Sequence, residues 1–380
     1  RRRSPPLRAS SRLRSHERSG QMVQLCQWYS ASPQRARNSD HLVEHRSNGA
    51  MTTTQHQRHT TPEPFNHSAA HAALARYRNR LMALDGVPTT VHVTFSMPAL
   101  LHAPNTSTMI RDGLDAFRRL NPHWTVREWD DAAIETYLQQ RLRPHEYRML
   151  AHLHAVEKSD LWRLLVMCRE GGLYMDVDRL VNMPMRRLIG KHTKMLLPLF
   201  RGFGSANAAG RVVSRWTTSS PFGLTQDLMV SAAGNPLHCE AAALNVAEHA
   251  ACRDPLRQLW GDCTIIKLGP ELFMHSALLS LFGGEGEAIW RAVRASNGHA
   301  TRRFVIHALQ TLQPYAFARD EILPVDTLLF DAQRASDRSW TRERLEREKQ
   351  LLYARTGMTH WTRQPWWQLR VGRWLGLLAG

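Results

Sequence analysis

The sequence predicts an α/β fold with a layered sheet, on three observations. Short β-branched runs alternate with helical patterns from residue 87 onward. Double breakers, Asp85-Gly86 and Gly171-Gly172, end helical stretches where a chain must turn. Two aspartates, Asp176 and Asp178, close a short apolar strand, at the sheet edge where α/β proteins bind ligands.

Taken in order, residues 69–84 carry a helical pattern, and 87–95 (VPTTVHVTF) read as a β-branched strand opened by a proline. A helix is expected over 109–120, a turn at Asn121-Pro122, a short strand over 124–129, and a helix from Asp130-Asp131 into Arg141. One long helix is expected over 144–170, because Leu150, Leu153, Leu161, Leu164, Leu165 and Cys168 fall near helical spacing. Gly171-Gly172 stops it, and a strand over 173–177 follows at once. Further strands are expected over 195–200 and 264–267.

Composition narrows the class of protein. With 380 residues, 43% of them hydrophobic and 12 Trp, the chain can bury a sizeable core, which excludes a low-complexity structural role. Its 50 Lys and Arg against 33 Asp and Glu give a formal charge of +17, which raises nucleic-acid binding. Only five of the 50 are Lys (158, 191, 194, 267, 349), and so strong an Arg skew is what a GC-rich genome produces. Residues 1–50 hold ten Arg against Glu17, Asp40 and Glu44, so +7 of the charge sits there and +10 on the remaining 330 residues. Residues 1–68 are expected to be a disordered basic arm, 69–370 a catalytic domain, and 364–380 a terminal segment rich in Trp and Arg. Few aromatics interleave the basic residues of the arm, which argues against nucleic acid as a partner.

Five Cys (26, 168, 239, 252, 263) are sparse and odd in number, so buried or free thiols are expected and no disulfide framework. The nearest approach to a zinc cluster, Cys239, His249, Cys252 and Cys263, lacks the paired short spacings of a tetrahedral site. No apolar run nears the ~20 residues that span a bilayer, and no secretory h-region precedes the first 90 residues. The expected location is soluble or peripheral to a membrane, the latter because Trp361, Trp366, Trp367 and Trp374 accompany Arg363, Arg370 and Arg373. A terminal helix docked with its tryptophans inside is the favoured reading of the same residues.

The chemical signal is concentrated in 157–178, EKSDLWRLLVMCREGGLYMDVD. Asp160 and Arg163, three apart, share a helix face. The double-Gly stop then brings them toward Tyr174, Asp176 and Asp178 at one end of the sheet. Carboxylates accept protons from sugar hydroxyls, and Arg donates to sugar oxygens and to phosphate. Paired Asp oxygens suit Mg or Mn, which such a site shares with a diphosphate. Taken alone, an Asp-x-Asp is also what a solvated turn looks like, and chance supplies on the order of one in a chain of this composition.

The string Ser159-Asp160-x-x-Arg163 through Gly171-Gly172-x-Tyr174-x-Asp176-x-Asp178 resembles the signature of the DXD-motif sugar transferases, glycosyltransferase family 32. That family includes yeast Golgi mannosyltransferases, and the glucosylating domain of large clostridial toxins shares its core. The resemblance extends to the opening strand 87–95, to Asn121-Pro122-x-Trp124 and Trp129-Asp130-Asp131, to Ala233-Gly234-Asn235-Pro236-Leu237 and to Leu268-Gly269-Pro270, covering roughly 87–272. It implies a GT-A, Rossmann-like nucleotide-sugar transferase fold: one catalytic domain with a mixed central sheet and added helices. It further implies transfer of a hexose from a nucleotide-diphosphate sugar (GDP-mannose or a UDP-hexose) to a glycan or glycolipid hydroxyl, with Mn2+ or Mg2+ as cofactor and retention at the anomeric carbon.

Matched residue by residue, the resemblance gives Asp160 and Arg163 the donor-sugar hydroxyls. Tyr174 would line the donor pocket, Asp176 would contact ribose or sugar and reach the metal through water, and Asp178 would ligate the metal. Phe95 stands where the family has a Trp against the base, and Val93 where it has a Gln. Asp227 falls near the acceptor position, His360 is a metal-ligand candidate and Trp366 a lid candidate. A non-enzymatic Arg-rich protein that binds nucleic acid or a membrane surface is the alternative class. A dinucleotide-binding site at Gly202-x-Gly204 is set aside, since the third Gly and the downstream acid of that fingerprint are missing.

Overall fold

Asn66 accepts the N–H of Ala69 through its side chain and so opens the first helix, α1 (His67–Met82). The computed structural model describes residues 65–95, 108–176, 184–196, 199–201, 222–224, 226–252, 267–294 and 299–312. The chain divides into two units, Arg1–Thr61 and Pro62–Gly380, and all the described residues belong to the second. After α1 come β1 (Thr90–Thr94), α2 (Thr108–Leu120), β2 (Thr125–Trp129), α3 (Asp131–Arg141), α4 (Pro144–Leu150), α5 (Ala155–Arg169) and β3 (Gly172–Asp176). Then follow β4 (Met195–Leu196), β5 (Leu199–Arg201), β6 (Phe222–Leu224), β7 (Leu228–Ser231), α6 (Pro236–Ala251), α7 (Leu272–Phe282), α8 (Gly286–Arg294) and α9 (His299–Gln310).

The main sheet is mixed, in the order β2-β1-β3-β7-β4. β1 runs parallel to both β2 and β3, whereas β7 is antiparallel to β3 and β4. Because the chain leaves β1 for β2 on one side and returns to β3 on the other, the strand order reverses between β1 and β3. In open α/β sheets that reversal leaves a crevice beyond the carboxyl ends of the strands. Here those ends carry Thr94-Phe95 and Asp176, with Thr94 paired to Asp176.

Alternation along the strands assigns each face its cover. Val91, Val93, Leu173, Met175, Leu228 and Val230 point one way and pack with Leu114 and Phe117 of α2. On the other face the rings of His92, Trp129, Trp162 and Tyr174 form a chain of contacts, with centroids 6.0, 5.1 and 5.8 Å apart in turn. Trp162 comes from α5, so α5 is the helix laid on that face. Val93, expected at the donor site from its place in the opening strand, is a core residue: the period of two turns it into the apolar cluster.

Gly171 and Gly172 have φ of +67° and +101°, and each lies against backbone. A Cβ at Gly171 would stand 2.6 Å from both Ser231 O and Ala233 N, and one at Gly172 would stand 2.4 Å from Thr90 O. The double glycine thus ends α5 and also lets β3 enter between β1 and β7.

Three expectations are corrected. The helix expected over 144–170 is two, because His154 and Glu157 form a reciprocal cap that starts α5 afresh after the turn at 151–153. The strand expected over 195–200 is split between β4, in the main sheet, and β5, which pairs with β6 in a separate ribbon. Lys267, expected in a strand, instead opens a π-helical turn, Lys267–Glu271.

The cysteines also differ from expectation. Cys168 of α5 and Cys239 of α6 form a disulfide across 71 residues of sequence, and Cys252 is disulfide-bonded as well. With Cys239 committed to Cys168, the zinc cluster considered from sequence has lost a ligand. No helix among the described residues is long and apolar enough to cross a membrane.

Candidate active site

Helix α5, strand β3 and the start of β7 bring five of the expected residues together at the carboxyl end of β3. Asp160 and Arg163 project from one face of α5 and form an ion pair, Asp160 Oδ1 to Arg163 Nη2, at 3.1 Å. Arg163 Nη1 lies 3.5 Å from Asp176 Oδ1 and donates to the carbonyl of Gln226 at 3.2 Å. The guanidinium also stacks over Tyr174, 4.8 Å from the ring centroid. Tyr174 Oη in turn donates to Asp176 Oδ1 at 2.5 Å. Both belong to the same face of β3, two residues apart, so the bond follows from strand geometry.

Asp227 reaches the cluster from β7's side. Its carbonyl accepts the N–H of Asp176 at 2.9 Å, one step beyond the Met175–Leu228 pair of the antiparallel ladder. Asp160 and Asp176 thus pair with one guanidinium, and Asp227 adds to the negative charge acting on it.

Burial and charge compete here. Asp160 is buried, and desolvation raises its pKa from the ordinary value even though Arg163 opposes the shift. For Arg163 burial pulls the pKa down, but Tyr174, Asp176, Asp160 and Asp227 outweigh it, so the guanidinium is held charged. Tyr174 is raised well above its ordinary value, chiefly by burial.

Tyr174 was expected to line the donor pocket, but it is 0% exposed. It acts from beneath, fixing the Asp176 carboxylate and supporting Arg163. Phe95 is partly buried against the apolar cluster at the end of β1, its N–H bonded to Trp129 O at 3.0 Å. Asp178, His360 and Trp366 lie outside the described residues, as do most of the arm, the segment 364–380 and Gly202-x-Gly204.

Among the described residues, no group of three or more His, Cys, Asp or Glu is placed to hold a metal ion. The donor set nevertheless has the right chemistry for a hard divalent cation: the Asp176 side chain is 32% exposed and presents carboxylate oxygen, as Mg2+ and Mn2+ prefer. Two neighbours escaped the sequence reading. Gln226, beside the expected Asp227, is buried and supplies the carbonyl that Arg163 grips. Gly269 lies against the Asp160 carboxylate. Its only signal in the sequence is the Leu268-Gly269-Pro270 turn.

A mixed sheet with helices on both faces and acidic residues at the β1/β3 crevice is a GT-A-like arrangement. Residues 109–196, which include Asp160, Arg163, Tyr174 and Asp176, match the family model described as "glycosyltransferase sugar-binding region containing DXD motif". The protein is a glycosyltransferase. A solved structure titled "PaToxG Glycosyltransferase" is similar at 13% sequence identity with a TM-score of 0.32, over 76% of this chain and 94% of that one. No curated protein matches the sequence.

Proposed function

We propose that the protein moves a hexose from a nucleotide-diphosphate sugar, GDP-mannose or a UDP-hexose, to a hydroxyl of a glycan or lipid-linked acceptor, with retention at the anomeric carbon. The observation that carries this reading is the convergence of Asp160, Arg163 and Asp176 at the carboxyl end of β3. Asp160, nearly dry and braced by Arg163, is suited to accept hydrogen bonds from sugar hydroxyls, since an acceptor in a low-dielectric pocket gains most from a matched donor. Arg163, held charged by its neighbours, is suited to stabilise the negative charge that builds on the departing diphosphate.

Asp176 fits a divalent cation by donor type and exposure, and Asp178, two residues on, is the second ligand in this reading. The cation, when bound, supplies neutralisation of the diphosphate charge. Tyr174 fixes the Asp176 carboxylate through its hydroxyl. In the transfer, the bond from the anomeric carbon to the diphosphate oxygen breaks as the acceptor oxygen bonds to that carbon from the same side. The hydroxyl proton passes to the departing phosphate oxygen. The +10 carried by residues 51–380 suits a site that takes an anionic donor.

A panel of nucleotide sugars tested against the purified protein by thermal shift, with MnCl2 or with EDTA, checks the proposal. A shift with GDP-mannose or a UDP-hexose that needs the cation supports it, because a ligand that binds only the folded state raises the melting temperature. No shift with any nucleotide sugar, together with no nucleotide-sugar hydrolysis, would sink it.

A further inference from the structure

We propose that Gly269 is a positioning residue for the donor sugar, one that keeps the Asp160 carboxylate in place by presenting bare backbone to it. The inference rests on the reading of Asp160 as a sugar ligand.

Asp160 has two oxygens with different surroundings. Oδ1 is held by Arg163 Nη2 at 3.1 Å. Oδ2 faces Gly269 in the π-helical turn: a Cβ built at 269 would stand 2.6 Å from Oδ2 and 3.5 Å from Asp160 Cγ. The same point lies 3.1 Å from Gln226 Nε2, so Asp160 and Gln226 converge on the turn from two elements. Gln226 is itself buried, and its carbonyl is bonded to Arg163.

The backbone does not require glycine at 269. The described glycines with positive φ are 171, 172, 234 and 283, so residue 269 has a conformation open to alanine. What the position requires is the absence of a side chain, and the atom that a side chain would strike is a carboxylate oxygen.

The turn has little freedom to retreat. Leu268 is buried and packs with Leu244, Cys252 and Leu272, its carbonyl accepts from Asn245 Nδ2 of α6 at 2.8 Å, and Pro270 follows directly. A methyl group at 269 therefore displaces the carboxylate rather than the turn, and the displaced carboxylate leaves its geometry with Arg163. In a binding site, misplacement of about 1 Å costs on the order of a hundredfold in rate. By the same contact Gly269 sets which sugar hydroxyl the carboxylate can meet, and so bears on the choice of hexose.

Four variants test this in the full-length protein: Gly269→Ala, Asp160→Ala, the two combined, and Gly86→Ala as a control, where a Cβ meets nothing within 4 Å. Melting temperature, affinity for UDP-glucose and GDP-mannose, affinity for UDP and GDP, and turnover in nucleotide-sugar hydrolysis are measured with MnCl2. Gly269→Ala is expected to bind the bare nucleoside diphosphates as the wild type does, to bind the nucleotide sugar at least about tenfold more weakly, and to lose roughly a hundredfold in turnover. Added to Asp160→Ala, it is expected to change neither melting temperature nor affinity, since the atom it strikes is gone. Wild-type sugar affinity and turnover in Gly269→Ala would overturn the proposal. So would an equal loss of melting temperature in both backgrounds, or failure of both Gly269→Ala and the double variant to fold, because the glycine would then serve the turn alone. Wild-type nucleotide-sugar binding by Asp160→Ala would overturn the reading of Asp160 itself, and this role with it.

Discussion

Tyr174 Oη donates to Asp176 Oδ1 at 2.5 Å, and Tyr174 is wholly buried while Asp176 stays partly exposed. An apolar ring with a polar tip thus anchors the partly exposed carboxylate at the end of β3. Hydrogen bonds to charged groups are worth about 1.5–3 kcal/mol. Tyr174→Phe, which keeps the ring under Arg163, is expected to lower turnover roughly tenfold while leaving the fold intact, and to raise the cation concentration needed for half activity. Steady-state hydrolysis of a nucleotide sugar over a MnCl2 titration checks this. An unchanged cation requirement would show that Tyr174 does not act through Asp176.

Gly171→Ala is expected to be severely destabilising. The new methyl group would meet Ser231 O and Ala233 N, both backbone and unable to swing aside, in a conformation with φ of +67°. Strained backbone and overpacking each cost about 1–3 kcal/mol, so a loss of several kcal/mol in urea denaturation is the expected result. A loss within about 0.5 kcal/mol, the range of an ordinary surface substitution, would show that β3 can shift without harm.

The Cys168–Cys239 disulfide joins the helix that carries Asp160 and Arg163 to α6. Closing a loop of 71 residues stabilises by about 4 kcal/mol in the chain-entropy account. Cys168→Ala with Cys239→Ala should therefore melt on the order of 10 °C below the oxidised wild type, and dithiothreitol, which also opens the Cys252 bond, should lower the wild type at least as far. Identical melting with and without dithiothreitol would mean that the bond does not form in the protein as prepared.

Stability should fall in acid through three buried histidines. His92 is pushed down to about 4, and His238 and His249 to about 3, in each case mainly by desolvation. Their folded pKa values lie below the unfolded value of about 6.5, so the stability tied to their neutral forms is full above about 6.5. It declines as pH falls toward about 4 for His92 and about 3 for the other two. At pH 5 each contributes a loss of about 2 kcal/mol. Urea denaturation between pH 7.5 and 4.5 measures this, and a flat profile over that range would contradict the burial of these side chains.

Much of the architecture was legible because local signals agreed with it. The double glycine at 171–172, the β-branched opening strand and the Asp160/Arg163 spacing each work through neighbours close in sequence, and each reappears in the structure. What stayed hidden depends on distant parts of the chain. Whether Tyr174 faces a ligand or supports Asp176 from below is decided by α5 packing on it, and Val93 is drawn into the core by α2. The Cys168–Cys239 bond needs α5 and α6 side by side, which cysteine spacing does not reveal. Gly269 meets Asp160 across more than a hundred residues of sequence, so a Leu-Gly-Pro turn read by itself looks only like a turn.

The central claim, that Asp160, Arg163 and Asp176 form the donor site, is tested most directly by nucleotide-sugar hydrolysis in Asp176→Asn with MnCl2. Asparagine keeps the shape and can still accept from Tyr174, while removing the charge. The account predicts a turnover at least roughly a hundredfold below wild type, with melting temperature preserved. Wild-type, cation-dependent turnover in Asp176→Asn would contradict it.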